Sequence, residues 1–353
     1  VTSAALAGSA STGATTGETT GGPTGATTGG NVSRRSSRSR LVTVPFVAAV
    51  VGTAALVVAS LFVGVFDVLG ADDGWRMFLV TRVPRTVTLV LAGAVMAMSG
   101  LVMQQLTQNR FVEPTTTGTT EWAGLGMLAV MVVAPGAPLL LKMVAAVLAA
   151  FVGTLVFFAF LQRVALRSSV VVPIVGLMLG AVVGAVSTYV ALSTNLLQSM
   201  GAWFLGSFTS VIQGQYEPIW AVVVVVVAVA VAADRFTVAG LGRDVSTGLG
   251  LDHRRVVLLG TVLIAAATGI VTVVVGNLPY LGLVVPNVVS MARGDDLRSN
   301  LPWVAVVGVA LVTAADLLGR VVVMPFEIPV ATILSVVGGV VFLALLLRQR
   351  RRG

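Results

Sequence analysis

The sequence has no cysteine, one histidine and one lysine among 353 residues, and only 10% of it is charged. Each scarcity excludes something. Without cysteine there can be no disulfide, zinc ribbon or thiol chemistry. With His253 standing alone in a polar stretch, no metal centre of His and Cys ligands is expected. The lone lysine, Lys142, lies near a membrane boundary, and no G-x-x-x-x-G-K-[ST] loop occurs, so the chain has nothing with which to cradle nucleotide phosphates. A soluble domain carries roughly 25% charged residues, which this chain falls far below. The net charge of +8 comes without a basic patch interleaved with aromatics and without a nucleic-acid-binding motif, so nucleic acid is not an expected partner.

What the chain does have is apolar sequence: 56% hydrophobic residues and a mean hydropathy of +1.00. Its apolar runs reach about 18–25 residues, the length a helix needs to cross ~30 Å of hydrocarbon. Barrel strands would alternate over about 10 residues, and Val222 to Val231 does not alternate. The predicted fold is therefore all-α and polytopic, with ten spans near 42–66, 84–106, 117–134, 138–162, 171–193, 216–234, 256–275, 282–293, 303–321 and 328–347. Span 282–293 is too short to cross alone, so it is either a re-entrant bend or continuous with 276–281. Residues 1–40, rich in Gly, Ser, Thr and Ala with Arg34, Arg35, Arg38 and Arg40, read as a disordered tail. The arginine pair could open an export signal, but the run at 42–66 exceeds a signal's apolar core and favours a retained first helix. With the N-terminus cytoplasmic, 17 basic residues fall inside and 5 outside, namely Arg76, Arg82, Arg85, Lys142 and Arg320. Both termini are then cytoplasmic. The organisation is a tail over 1–40, a transmembrane domain over 41–350 and a cytoplasmic loop at 235–255.

Three groups of residues are candidates for function. Glu121 and Asp316 are intramembrane acids, which ion-coupled transport would require. Asp316 has Arg320 one helical turn on, so a structural ion pair accounts for it. Glu121 opens the third span, where an acid either interacts with the helix N-terminus or lines a pathway. Gly176, Gly180 and Gly184 recur every fourth residue along the fifth span and offer a flat face to a neighbouring helix or to a path. The loop 235–255 mixes apolar and charged residues, which suits either a short amphipathic docking helix or a solvated loop.

Several ordered motifs resemble those of FecCD-type permeases. Arg82-Val83-Pro84-Arg85, then Gly93, Ser99-Gly100, Gln104-Gln105 and Gln108-Asn109-Arg110-Phe111-Val112-Glu113-Pro114, is similar to that family's R-x-P-R, G-x-x-x-Q and N-P-L-A-x-P series. Gly276-Asn277-Leu278-Pro279-Tyr280-Leu281-Gly282-Leu283-Val284-Val285-Pro286-Asn287 resembles G-x-I-x-F-x-G-L-V-x-P-H, and the likeness continues through Asp316-Leu317-Leu318-Gly319-Arg320 and Pro325 to Val330. The resemblance covers about 42–350. It departs at Asn287 in place of His, at Asn109-Arg110-Phe111 in place of Asn-Pro-Leu, and at Thr115 to Thr120. Those variants resemble the branch that imports catecholate or petrobactin-type ferric siderophores.

The resemblance implies a permease subunit of an ATP-binding-cassette importer in the bacterial cytoplasmic membrane, working by alternating access without an ATPase site or cofactor of its own. Its implied partners are a cytosolic ATPase dimer that uses the ATP, an extracytoplasmic siderophore-binding protein, and a second permease, identical or related. Arg82, Arg85 and Arg320 would meet acids on the binding protein. Their alternative is anchoring to lipid headgroups. Asp244, Ser246, Gly248, Leu249, Gly250 and Leu251 would couple to the ATPase, and Gln104, Glu121, Gly176, Gly180 and Gly184 would line the pathway or a helix interface. The rival reading from residues alone is an ion-coupled carrier.

Overall fold

In hydrocarbon, every backbone N–H and C=O must find its partner within its own segment, so long apolar runs become helices whatever their side chains. The valine run shows this best. Val222 to Val227 are β-branched residues that disfavour helix in water, yet they form the middle of a helix here. The computed structural model describes residues 44–64, 73–163 and 171–350, and the tail at 1–40, Arg167 and the side chains of Arg348 and Arg350 to Arg352 lie outside the described residues or side chains.

The helices in chain order are α1 (Val44–Phe62), α2 (Gly74–Met77), α3 (Val83–Thr107), α4 (Thr119–Val133), α5 (Leu139–Arg163), α6 (Val171–Ser193), α7 (Leu197–Phe204), α8 (Ala221–Val231), α9 (Ala233–Ala239), α10 (Arg243–Gly248), α11 (His253–Val274), α12 (Leu281–Arg293), α13 (Leu297–Val321) and α14 (Val330–Arg350). A π-helical turn, Phe78–Arg82, joins α2 to α3, and a 3-10 turn, Glu217–Trp220, opens α8. Seven spans are long and apolar enough to cross a membrane, or eight if the pair Glu217–Val231 and Ala233–Ala239, bent by 59°, counts as one. This is a multi-pass membrane protein.

Helix α3 is the axis. Its span is 78% buried, against 6% for α1 and 17% for α14, and α8, α11, α12 and α13 pack around it. The outward faces of α1, α5, α6, α8 and α14 carry exposed Val, Leu and Phe, as surfaces bathed in lipid should.

Two apolar helices, α4 and α12, are only 15 and 13 residues long, about 22 and 20 Å at 1.5 Å per residue. The short span at 282–293 is not continuous with the segment before it. Gly276 and Tyr280 have φ of +97° and +62°, which break the helix, and α12 begins afresh at Leu281. The glycines of α3 and α12 let their backbones touch: a Cβ on Gly282 would sit 2.8 Å from the Cα of Gly100, closer than any side chain allows.

Candidate functional site

At one end of the bundle the predicted docking arginines form an ion network. Arg85 donates through Nη1 and Nη2 to Glu327 Oε1 and Oε2 at 3.1 and 2.8 Å, and through Nη2 to Asp316 Oδ1 at 2.7 Å. Arg320 pairs with the other oxygen of Asp316 and donates to the Ser60 and Val63 carbonyls at 2.8 and 3.0 Å. Arg82 also donates to Val63 O, at 2.6 Å. These carbonyls end α1, where no intrahelical donor remains. The Asp316 side chain is fully buried and that of Arg320 is 2% exposed, so Arg320 is committed inside the subunit rather than presented to a partner. Arg82 and Glu327 stay half-buried at the rim, with Phe326 exposed beside Glu327. Burial alone would raise the Glu327 carboxyl. The Arg85 hydrogen bonds and charge, the Thr209 hydroxyl and the Arg320 charge outweigh it and hold the group below its usual range.

At the opposite end, the loop 235–255 folds into the last part of α9, a turn, α10 and the start of α11. Gly242, at φ +101°, precedes α10, and Asp252 caps α11 by accepting from the Arg255 amide at 3.1 Å. Leu241, Val245 and Leu249 recur every fourth residue and are exposed by 58, 51 and 66%, an apolar ridge standing among Arg243, Asp244 and Thr247. Asp244, Gly248 and Gly250 are exposed with it. Ser246 points the other way: it is buried, and its Oγ lies 2.9 Å from His253 Nδ1, tying α10 to α11. Leu251 is partly buried against the core. Behind α10 a cavity of about 960 Å³ reaches the ends of α3, α5 and α6 and is lined by Gln108, Gln162, Arg243 and Arg254.

Between the two ends, Gln104 is buried on α3 and donates to Gly282 O at 3.2 Å. The glycine face of α6 meets the connecting segment before α4 and the first turn of α4. Gly176 abuts Thr116 and Thr117, and a Cβ on Gly180 would lie 3.1 Å from the Cα of Gly118, while Gly184 has open space. Glu121 faces Gly180, and its Oε2 is buried without a hydrogen-bond partner among the described residues. Glu113, which the candidate list lacked, is 1% exposed, and its Oε1 accepts from the Tyr280 amide at 2.7 Å.

A profile of the FecCD transport family matches residues 31–348. The chain belongs to that family. Among curated relatives, the petrobactin import system permease protein FatD of Bacillus anthracis is 54% identical over 89% of this chain and 94% of its own. The petrobactin import system permease protein YclN of Bacillus subtilis is 38% identical over 84% and 95%. A solved structure described as an inward-facing conformation of a metal-chelate type ABC transporter superposes with a TM-score of 0.74 at 20% identity, covering 86% of this chain and 99% of that one. That likeness concerns the fold.

In this FecCD chain, two of the departures from the family motifs meet in space. Asn287 Nδ2 donates to the carbonyl of Arg110 at 2.8 Å, while the Arg110 guanidinium pairs with Asp295, which also accepts from Ser290. Positions 110 and 287 therefore act as one contact between the α3–α4 connection and α12. Glu327 and Glu113 both stood inside quoted motifs, but their partners, Arg85 and Tyr280, lie 242 and 167 residues away. No local spacing signals such a pairing.

Proposed function

We propose that this chain is the membrane-spanning permease subunit of an ATP-binding-cassette importer in the bacterial cytoplasmic membrane, carrying ferric siderophores of the petrobactin type by alternating access. The observation that carries the reading is the 54% identity to a petrobactin import permease over nearly the whole of both chains. With the bent pair counted as one span, the eight long spans and the short helices α4 and α12 make a ten-span bundle with both termini cytoplasmic.

The two ends take different partners. The ridge Leu241, Val245 and Leu249 on and beside α10 docks on a cytosolic ATPase dimer, an apolar contact rimmed by charge of the kind protein interfaces use. Asp244, Gly248 and Gly250 belong to the same surface, whereas Ser246 and Leu251 hold it in place. At the other end an acidic binding protein docks over Arg82 and the Arg85–Glu327 pair, with Arg320 bracing the site from beneath. A second permease, identical or related, completes the path, which the α4–α6 wall with Glu121 and Gly184 flanks. The subunit performs no covalent chemistry; ATP is used by its partner.

The test is uptake of iron-loaded petrobactin by cells carrying this permease, with the partner ATPase intact or disabled at its phosphate-loop lysine. Loss of uptake with the disabled ATPase is the expected result. Uptake that persists and instead collapses with the proton gradient would overturn the proposal and point to the buried Glu121.

A further inference from the structure

Glu113 is as deeply buried as Asp316, at 1% exposure each, but among the described residues it has no cationic partner. A buried carboxylate left so is costly unless donors surround it. Here the donors are the first amides of α12. Tyr280 N–H donates to Oε1 at 2.7 Å, the amides of Gly282 and Leu283 face the same carboxylate, and the Thr115 hydroxyl donates at 2.6 Å. Helix α12 needs such an acceptor. Its N-cap, Tyr280, sits at φ +62° and contributes no side-chain bond, so although the Leu283 amide also reaches Tyr280 O at 3.2 Å, the Tyr280 and Gly282 N–H groups would otherwise be orphaned in a buried site. The carboxylate also opposes the positive end of the helix dipole.

The segment that carries Glu113 is stiff. Thr116 Oγ1 donates to Glu113 O and accepts from Glu113 N, both at 3.0 Å; Thr117 Oγ1 donates to Pro114 O at 3.0 Å; and Thr119 N donates to Pro114 O at 3.2 Å. Its far side, Thr116 to Gly118, presses on Gly176 of α6 with no room for a methyl group and lies tightly against Gly180. One rigid turn thus touches α6 on one flank and holds the start of α12 on the other.

We propose that Glu113 is the positioning residue that makes the α6 wall and the half-length helix α12 shift as one body during transport. A displacement of α6 acts on backbone at 116–118, passes through the self-bonded turn, and reaches α12 through the carboxylate. Packed contacts of this kind respond as units and do not deform gradually. Glu113→Gln keeps one acceptor but turns an amide donor toward amide donors, which loosens the last step alone.

The inference rests on the importer reading for its transport readout, so the experiment has two arms. The first reconstitutes the complete importer in liposomes and measures iron-loaded petrobactin accumulated per ATP hydrolysed. Glu113→Gln should lower that ratio about fivefold or more, the range of typical coupling energies, while the complex assembles and hydrolyses ATP. Gly180→Ala, which strains the other flank mildly at 3.1 Å, should lower it in the same direction, and Gly339→Ala on α14, whose methyl would meet nothing within 4 Å, should not. The second arm measures hydrogen exchange at the Tyr280 and Gly282 amides, which Glu113→Gln should accelerate and Gly180→Ala should not. Uptake and hydrolysis falling in proportion, with the ratio kept, would mean a merely structural residue and overturn the proposal, as would an unchanged ratio. Wild-type uptake indifferent to ATP would defeat the importer reading instead, and unaccelerated amides would still refute the clamp.

Discussion

Replacing Gly282 with alanine tests the contact between α3 and α12 most directly. The new methyl group would lie 2.8 Å from Gly100 Cα, 3.1 Å from Met96 O and 3.2 Å from Glu113 Oε2. Carbon atoms rest no closer than about 3.5 Å, so α12 must retreat by roughly 0.7 Å, the difference between that spacing and 2.8 Å. The Gln104 hydrogen bond to Gly282 O, already 3.2 Å long, would then stretch to nearly 4 Å and fail. Overpacking costs about 1–3 kcal/mol and the lost bond about 1 kcal/mol. Removing a helical glycine returns up to about 1 kcal/mol, leaving a net loss of roughly 1–3 kcal/mol. Gly184→Ala is the control, because nothing lies within 4 Å of its added methyl, and it should be neutral or gain up to about 1 kcal/mol. Thermal unfolding of the two purified variants in the same detergent, followed by tryptophan fluorescence, makes the comparison. Equal midpoints would refute the claim that backbone contact at Gly100 and Gly282 holds α12 in place.

Three further outcomes are expected. Arg320→Ala strips one of two cations from the fully buried Asp316 and should destabilise the permease by about 3–5 kcal/mol. Arg298→Ala, which breaks a pair whose side chains are 69 and 66% exposed, should cost no more than about 1 kcal/mol; the same melts decide between them. Because the folded Glu327 carboxyl is held below its usual range, its stabilising contribution is present above about pH 4.3 and fades as the pH drops through the lower folded value. Stability measured from pH 7 to pH 3 should therefore lose less on acidification in Glu327→Gln than in the parent, and identical acid limbs would contradict this assignment. Leu249→Glu, on the exposed ridge, should weaken ATPase binding about tenfold, equivalent to ~1.4 kcal/mol, with folding unchanged; titration of the solubilised permease with the ATPase reads it.

Run length made most of the helices legible. The expected span 84–106 became Val83–Thr107, and 171–193 became Val171–Ser193, since an apolar run in hydrocarbon has no other way to satisfy its backbone. The span 282–293 likewise became Leu281–Arg293; what the sequence left open was its continuity with 276–281, which the left-handed Tyr280, its amide bonded to the distant Glu113, ends. The glycine repeat of α6 suggested close backbone approach, which Gly176 and Gly180 make and Gly184 does not, and it gave no sign that the approaching backbone is the turn at 116–118. The short helix at 243–248 suited the mixed composition of its loop, yet which side faces outward depends on packing against α11, and that turned Ser246 inward. Charge topology put Arg320 on the outer side of the membrane but gave no sign of its exposure. Its burial follows from Asp316 one turn away combined with the free carbonyls of α1, which the sequence places 260 residues earlier.

That separation sets an order of events during synthesis. The last turn of α1 leaves the ribosome with the Ser60 and Val63 carbonyls lacking the donors that finally hold them. Val63 receives its first cation from Arg82, 19 residues on, but Ser60 waits for Arg320 at the far end of α13. Helix α1, the least enclosed of the long spans, can thus enter the bilayer early and stay loosely attached while the rest is made. Its end, held first by Arg82 at Val63, gains its second hold at Ser60 only when the chain is nearly complete, so a truncated product ending before α13 would carry an α1 fastened at one carbonyl alone.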